Sequence, residues 1–126
     1  MNLAVLSRAV LPSHQHKALA EACLRNWPKE TCGVLFGFIQ ADAVYVDSFE
    51  VIRNVSPQPE KTFAFDPAEW VRIFFAAINQ GKNMIGIFHS HPDGRLEPSS
   101  EDTRRRLQWG TYWIAGISRG ECLIAA

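Results

Sequence analysis

The sequence predicts an α/β fold, one mixed β-sheet with helices packed against it. Three observations predict it. The apolar pattern switches repeatedly between β-prone runs and stripes at helical spacing. The elements read in the order strand, helix, hairpin, helix, strand, helix, hairpin, which is neither a strict βαβ series nor an all-β one. The 126 residues are enough for one domain around one core. No repeat, low-complexity tract or linker interrupts the chain, so residues 1–126 are expected to form a single domain.

Leu3 to Leu11 is apolar and partly alternating, and reads as an edge strand that ends at Pro12. Ser13 reads as the cap of a helix running to about Trp27, with Ala18, Leu19, Ala22, Cys23 and Asn26 at helical spacing. His14 and His16 lie on this helix, about 200° apart, so they cannot share a ligand and read as surface histidines. Pro28 ends the helix. Thr31 to Ile39 and Ala43 to Val51 read as an antiparallel hairpin about an Ala41-Asp42 turn. In its second strand Val44 and Val46 share one face, then Phe49 and Val51 do, which predicts a bulge at Asp47-Ser48. Arg53 to Lys61 is a proline-containing loop and Thr62 to Phe65 a short extended piece. Asp66 or Pro67 opens a second helix whose stripe of Trp70, Ile73, Phe74, Ala77 and Ile78, widened by Val71 and Phe75, is expected to be core. Gly81 closes it. Met84 to Phe88 reads as a buried strand, Ser99 to Trp109 as a third helix, and Tyr112 to Ser118 and Glu121 to Ala125 as a final hairpin about Arg119-Gly120.

Hydrophobic residues make up 47% and charged residues 21%, ordinary for a globular protein. A formal net charge of zero argues against nucleic-acid binding through a basic field. No apolar run approaches the roughly 20 residues that span a bilayer, and the N-terminal residues lack a signal-type pattern. No membrane association is therefore expected. Cys23, Cys32 and Cys122 are odd in number and widely spaced, and read as reduced core thiols of a cytoplasmic protein. Arg104, Arg105 and Arg106 spread over about 200° of a helix and read as a largely solvated face.

The chemistry concentrates in His89-Ser90-His91-Pro92, at the end of the Met84 to Phe88 strand. Residues two apart on a strand share a face, so His89 and His91 aim their imidazoles at one point. Pro98-Ser99-Ser100-Glu101-Asp102 reads as a helix start, and residues three apart on a helix share a face, so Ser99 and Asp102 look the same way. Two imidazoles and one carboxylate are a ligand set that zinc accepts, with a fourth position open to water. Iron or manganese also accepts it. Asp93, Glu97 and Glu101 compete with Asp102. Asp93 reads as a turn former, Glu97 precedes a proline, and Glu101 is off the Ser99 face. Ser99 is also a good helix cap whatever else it does, and Ser100 is its nearest rival.

This constellation resembles the JAMM (MPN+) metalloprotease family: an upstream Glu, then His-x-His, seven residues, Ser, two residues, Asp. It is matched at His89, His91, Ser99 and Asp102, and the upstream Glu at Glu30, within Pro28-Lys29-Glu30-Thr31-Cys32-Gly33-Val34-Leu35-Phe36-Gly37. The segment Asn54 to Phe65 is similar too. The resemblance implies a cytidine-deaminase-like three-layer α/β/α fold with a mixed central sheet. It implies one Zn2+ per chain on His89, His91 and Asp102, with Glu30 as the proton-shuttling general base and Ser99 supporting the oxyanion. The weaker rivals of Glu30 are Glu21, Glu50 and Glu60. The implied reaction is peptide or isopeptide hydrolysis at the C-terminal tail of a ubiquitin-like protein ending in Gly-Gly. The Val51 to Phe65 region could offer a strand edge to that tail. The shortness of the chain points to the small bacterial members and to a sulfur-carrier-type substrate. The alternatives are a non-catalytic scaffold of the same family, disfavoured because every ligand is kept, and a zinc hydrolase of a small peptide or amide. A zinc deaminase would need a Pro-Cys-x-x-Cys element, which the chain lacks.

Overall fold

The computed structural model describes residues 8–99 and 111–125. Its elements in chain order are β1 (Arg8–Val10), α1 (Ser13–Asn26), β2 (Cys32–Gln40), β3 (Ala43–Ile52), α2 (Pro67–Asn79), β4 (Met84–His91), β5 (Thr111–Ser118) and β6 (Glu121–Ala125). The strands form one sheet in the order β1-β3-β2-β4-β5-β6. The sheet is mixed, as expected: β1 runs parallel to β3 and β4 to β5, and the remaining neighbours are antiparallel. The chain-order hairpins β2–β3 and β5–β6 form as the alternation and turn residues predict, with Ala41, Arg119 and Gly120 at positive φ in the two turns.

Both faces of the central strands are covered, which is why β2, β4 and β5 read as unbroken apolar runs. On one face α1 lays Leu19 and Cys23 against Leu35, Val46, Phe88, Trp113 and Ile117. On the other, Ile73 and Ala77 of α2 join Val34, Phe36, Ile52, Phe63, Ile87 and Ile114. Two bulges adjust the register. In β3, Phe36 pairs with Ser48 and Gly37 with Val46, leaving Asp47 as the extra residue within the predicted Asp47-Ser48 bulge. In β4, Leu35 pairs with Gly86 and Phe36 with Met84, leaving Ile85 extra. That slip sends Ile85 to the α1 face, while Met84 and Ile87 pack on the α2 face.

The structure corrects two expectations and bears out a third. Ser13 is the first helical residue rather than the cap of α1; Pro12 holds the cap position and no side chain caps the helix. Thr62 to Phe65 is the short extended piece expected, with an antiparallel bridge between Asn54 and Phe65 flanked by backbone bonds from Val55 to Ala64 and from Asp66 to Arg53. The broad stripe of α2 is not all core. Ile73 and Ala77 are buried, but Val71, Phe74, Phe75 and Ile78 are 43–59% exposed. A helix lying on a sheet buries one stripe, and α2 touches the sheet chiefly at β3, so the flanks of the stripe stay open. The second helix starts as expected, with the Asp66 carboxylate accepting from the Ala68 N–H and Pro67 in the first turn. The expected helix over Ser99 to Trp109, and with it Asp102 and the three arginines, lies outside the described residues beyond Ser99, as does the Leu3 to Ser7 part of the first strand. Among the described residues no helix is long and apolar enough to cross a membrane. The three cysteines are free, with Cys23 and Cys32 buried and Cys122 partly so.

Candidate active site

The antiparallel pairing of β2 with β4 brings the start of one strand to the end of the other. Cys32 pairs with His89, so the residues just before β2 lie beside the residues that end β4. The join is locked by reciprocal bonds: Thr31 N–H donates to Ser90 Oγ, and Ser90 N–H donates to the Thr31 carbonyl, both at 2.8 Å. Ser90 points to the α1 face, and its neighbours His89 and His91 point to the other, by the period of two read from the sequence.

His89 is fully buried. Its ring stacks on Phe63 with centroids 4.8 Å apart and meets the edge of Tyr112 at 5.2 Å. The two histidine Nε2 atoms are 2.9 Å apart. Nδ1 of His91 lies 2.9 Å from the Arg95 carbonyl, which can only accept. The Nδ1 proton is therefore used there, and the Nε2 of a neutral His91 carries its lone pair toward His89. This is the arrangement by which ligating histidines are oriented from behind. The convergence also fits a shared ion, since tetrahedral zinc with bonds of about 2.0–2.1 Å holds its ligand atoms about 3.3 Å apart. Among the described residues no group of three His, Cys, Asp or Glu is placed to hold a metal ion. The third expected ligand, Asp102, lies outside them.

The Arg95 carbonyl is held over β5 by close backbone packing. A Cβ on Gly116 would come within 2.6 Å of the Gly94 carbonyl oxygen and 3.1 Å of that of Arg95, so only glycine lets the loop lie there. Gly94 itself turns the loop at φ 85°. Asp93 closes the loop by accepting from Arg95, at 3.1 Å from its N–H and 2.7 Å from its Nε. Partial burial works against the charged carboxylate, but the hydrogen bonds and charge of Arg95, with a smaller contribution from His91, hold its pKa below the usual range.

Glu30 is 5% exposed and lines, with His91, a cleft of about 430 Å³. Its backbone is fixed from the 53–62 loop. Glu30 N–H donates to the Pro59 carbonyl at 2.6 Å, and the Glu30 carbonyl accepts from Asn54 Nδ2 at 3.0 Å. The same Nδ2 reaches the Thr62 carbonyl at 3.1 Å, and Asn54 Oδ1 accepts from Ser56 N–H and Ala64 N–H, each at 3.0 Å. A half-buried asparagine thus ties the loop into one piece and the piece to Glu30.

The expected residues are therefore brought together in part. His89, His91 and Glu30 meet at one end of the sheet. Ser99 is half-buried and is the last described residue of the loop after β4. Of the rivals to Glu30, Glu21 and Glu50 are exposed on α1 and β3, while Glu60 does line the cleft but from an exposed loop position. Asp93, the rival to Asp102, also lines the cleft and is committed to Arg95. Sequence reasoning missed Asn54, Phe63 and the Gly94–Gly116 contact. An asparagine beside a proline-rich loop, and a glycine inside an apolar strand, were the signals available.

Comparison with known proteins gives the chain's relatives. The chain is 34% identical over 112 residues to a desampylase of Haloferax volcanii, covering 89% of this chain and 76% of that one. It is 31% identical over 93 residues to a probable TtuB-protein conjugate cleaving protease of Thermus thermophilus, covering 74% of this chain and 60% of that one. The solution structure of a protein from Desulfitobacterium hafniense superposes with a TM-score of 0.75 at 25% identity, over 94% of this chain and 81% of the other. Residues 12–124 match the model of the prokaryotic homologs of the JAB domain, and the chain belongs to that family.

Proposed function

We propose that this protein is a zinc-dependent isopeptidase or peptidase that cuts at the C-terminal tail of a ubiquitin-like, sulfur-carrier-type protein. The observation that carries the proposal is the convergence of the His89 and His91 Nε2 atoms, 2.9 Å apart, at a cleft shared with the buried Glu30. The relatives named a desampylase and a TtuB-conjugate cleaving protease support the substrate class.

In this reading His89, His91 and Asp102 hold one Zn2+, which when bound supplies Lewis-acid polarisation of the scissile carbonyl and a water acidic enough to ionise near neutral pH. The Glu30 carboxylate takes the proton of the attacking water and passes it to the leaving amine, a role suited to a carboxylate in a partly desolvated cleft. Ser99 donates a hydrogen bond to the oxygen that gains charge in the tetrahedral state. Phe63 and Tyr112 keep the His89 ring from rotating, and the Arg95 carbonyl fixes the His91 tautomer. The 53–62 loop holds Glu30 by its backbone, so the base is positioned by the same segment that would present a strand edge to an incoming tail.

The test has two stages. Zinc is counted per chain in the wild type and in Asp102→Ala, purified without added metal; about one ion in the first and far less in the second is expected. The zinc-loaded protein is then incubated with a sulfur-carrier protein bearing extra residues after Gly-Gly, and with a lysine-linked conjugate of the same protein, and the masses are followed. A wild type that stays metal-free when zinc is supplied, or masses that do not change, would refute the proposal.

A further inference from the structure

The end of the sheet that carries His91 has a fixed lateral order. The 53–62 loop leaves β3 and closes over the start of β2, where the Pro59 carbonyl holds Glu30. Glu30 and His91 come next, then Pro92 and Asp93, then the β5–β6 turn, because His91 pairs with Gly116 of β5. A second cavity, of about 550 Å³, adjoins the catalytic cleft along Pro92 and Asp93. It is lined by Leu24 and Trp27 from the end of α1 and by Ile117 and Arg119 from β5 and its turn, and by nothing from the 53–62 loop. If a tail enters along that loop, as the proposed function has it, and is cut beside Glu30 and His91, this cavity lies on the far side of the cut, across Pro92 and Asp93.

We propose that this cavity is the leaving-side subsite of the cleft, and that it takes a bulky apolar residue carrying a free C-terminal carboxylate, the short extension released from a tail. The proposal rests on the peptidase reading above. The walls are apolar, and Trp27, although 56% exposed, is tied to the cleft by its indole N–H, which donates to the Pro92 carbonyl at 3.1 Å. The charge is complementary. Asp93 faces the cavity but is matched by Arg95 at 2.7 Å, whereas Arg119 makes no ion pair among the described residues. That leaves one uncompensated positive charge beside the apolar walls. Arg119 also stands at φ 53°, followed by Gly120 at φ 76°, in a two-residue hairpin turn whose first position favours Asn, Asp or Gly. A long cation stands where the backbone favours a small polar residue. The reaction is plain hydrolysis. The Gly C–N bond breaks, the hydroxyl of water joins the Gly carbonyl carbon, and its remaining proton joins the amine of the departing residue. A lysine side chain in an isopeptide bond brings no carboxylate to Arg119, so this subsite favours trimming of extensions over removal of conjugates.

The test compares two substrates with the zinc-loaded protein: a ubiquitin-like sulfur-carrier protein extended after Gly-Gly by one leucine with a free carboxylate, and the same protein ending in leucine amide. The wild type is expected to favour the free acid by about tenfold in kcat/KM, the worth of one charge-assisted hydrogen bond. Arg119→Gln is expected to bring that ratio to about one through a higher KM for the acid, and Arg119→Lys to restore part of it. Equal cleavage of acid and amide by the wild type, or a preference that survives in Arg119→Gln, overturns the subsite and leaves the peptidase reading standing. If neither substrate is cut, that reading falls, and the subsite is judged by binding alone, with leucyl-leucine titrated against the labelled protein. A shift of the Trp27 indole resonance that is lost in Arg119→Gln sustains it, and an unmoved resonance overturns it.

Discussion

Replacing Asn54 by alanine tests whether the 53–62 loop and Glu30 are one mechanical unit. The substitution removes Nδ2 from the Glu30, Thr62 and Pro59 carbonyls and Oδ1 from the Ser56 and Ala64 N–H groups, five bonds, four of them 3.0–3.1 Å and that to Pro59 3.4 Å. A net bond is worth about 0.5–1.5 kcal/mol, and the site is only half-buried, so water rescues some of the orphaned groups. The expected loss is about 2–4 kcal/mol in urea unfolding of the zinc-loaded protein, with an unchanged dependence on urea concentration. Zinc content should hold, because none of the five bonds touches His89 or His91. Tail cleavage should fall mainly in kcat, because the Glu30 backbone keeps its N–H bond to the Pro59 carbonyl but loses the bond at its own carbonyl. Asn54→Asp sharpens the test. It keeps the acceptor toward Ser56 and Ala64 but sets an anionic oxygen against the carbonyl oxygens of Glu30 and Thr62, and should be no more stable than the alanine variant. An alanine variant within about 0.5 kcal/mol of the wild type, or an aspartate variant as stable as the wild type, would refute the reasoning.

Phe63→Ala removes a buried ring that stacks on His89. It should cost about 3–5 kcal/mol in urea unfolding and weaken zinc binding measured against a competing chelator. Gly116→Ala puts a Cβ within 2.6 Å of the Gly94 carbonyl oxygen, so the loop must lift and carry the Arg95 carbonyl away from His91 Nδ1. Zinc affinity should drop about 10–100-fold while the far-ultraviolet circular dichroism of the sheet persists. The Asp93 pKa is lowered in the folded protein, so its contribution is present above the ordinary carboxylate range and is lost as the pH falls through the lowered value. The carboxyl-carbon resonance of Asp93 should therefore titrate with its midpoint below that of an ordinary aspartate, and Arg95→Gln should raise that midpoint.

What the sequence made legible follows from periods. His89 and His91 were readable as a pair because a strand repeats every two residues, and the same spacing on α1 placed His14 and His16 apart. The Asp47 bulge showed as a slip in an alternating strand. The Ile85 bulge did not, because β4 is apolar on both faces and a slip between two buried faces leaves no change of polarity. The breadth of the α2 stripe misled for a related reason. Hydrophobicity shows which side chains could be buried, while the extent of the sheet beneath decides how many are, and Phe74, Phe75 and Ile78 exceed it.

The relation of Glu30 to His91 was beyond any local pattern, and it came from family resemblance alone. Strand order creates it. β2 must lie beside β4 and run against it for the residue before Cys32 to arrive at the end of β4. Nothing in the alternation of either strand says which neighbour it takes. The features that secure the arrangement are correspondingly small: a serine bonded to a threonine across 59 residues of sequence, a glycine that admits a carbonyl, an asparagine that gathers a loop. None carries a motif of its own, because each is defined by a partner that the fold supplies. Chemistry on a rigid sheet end therefore demands two kinds of residue. Those that act are held at short spacings by one element and can be read. Those that position are held at long spacings by the topology and must be seen.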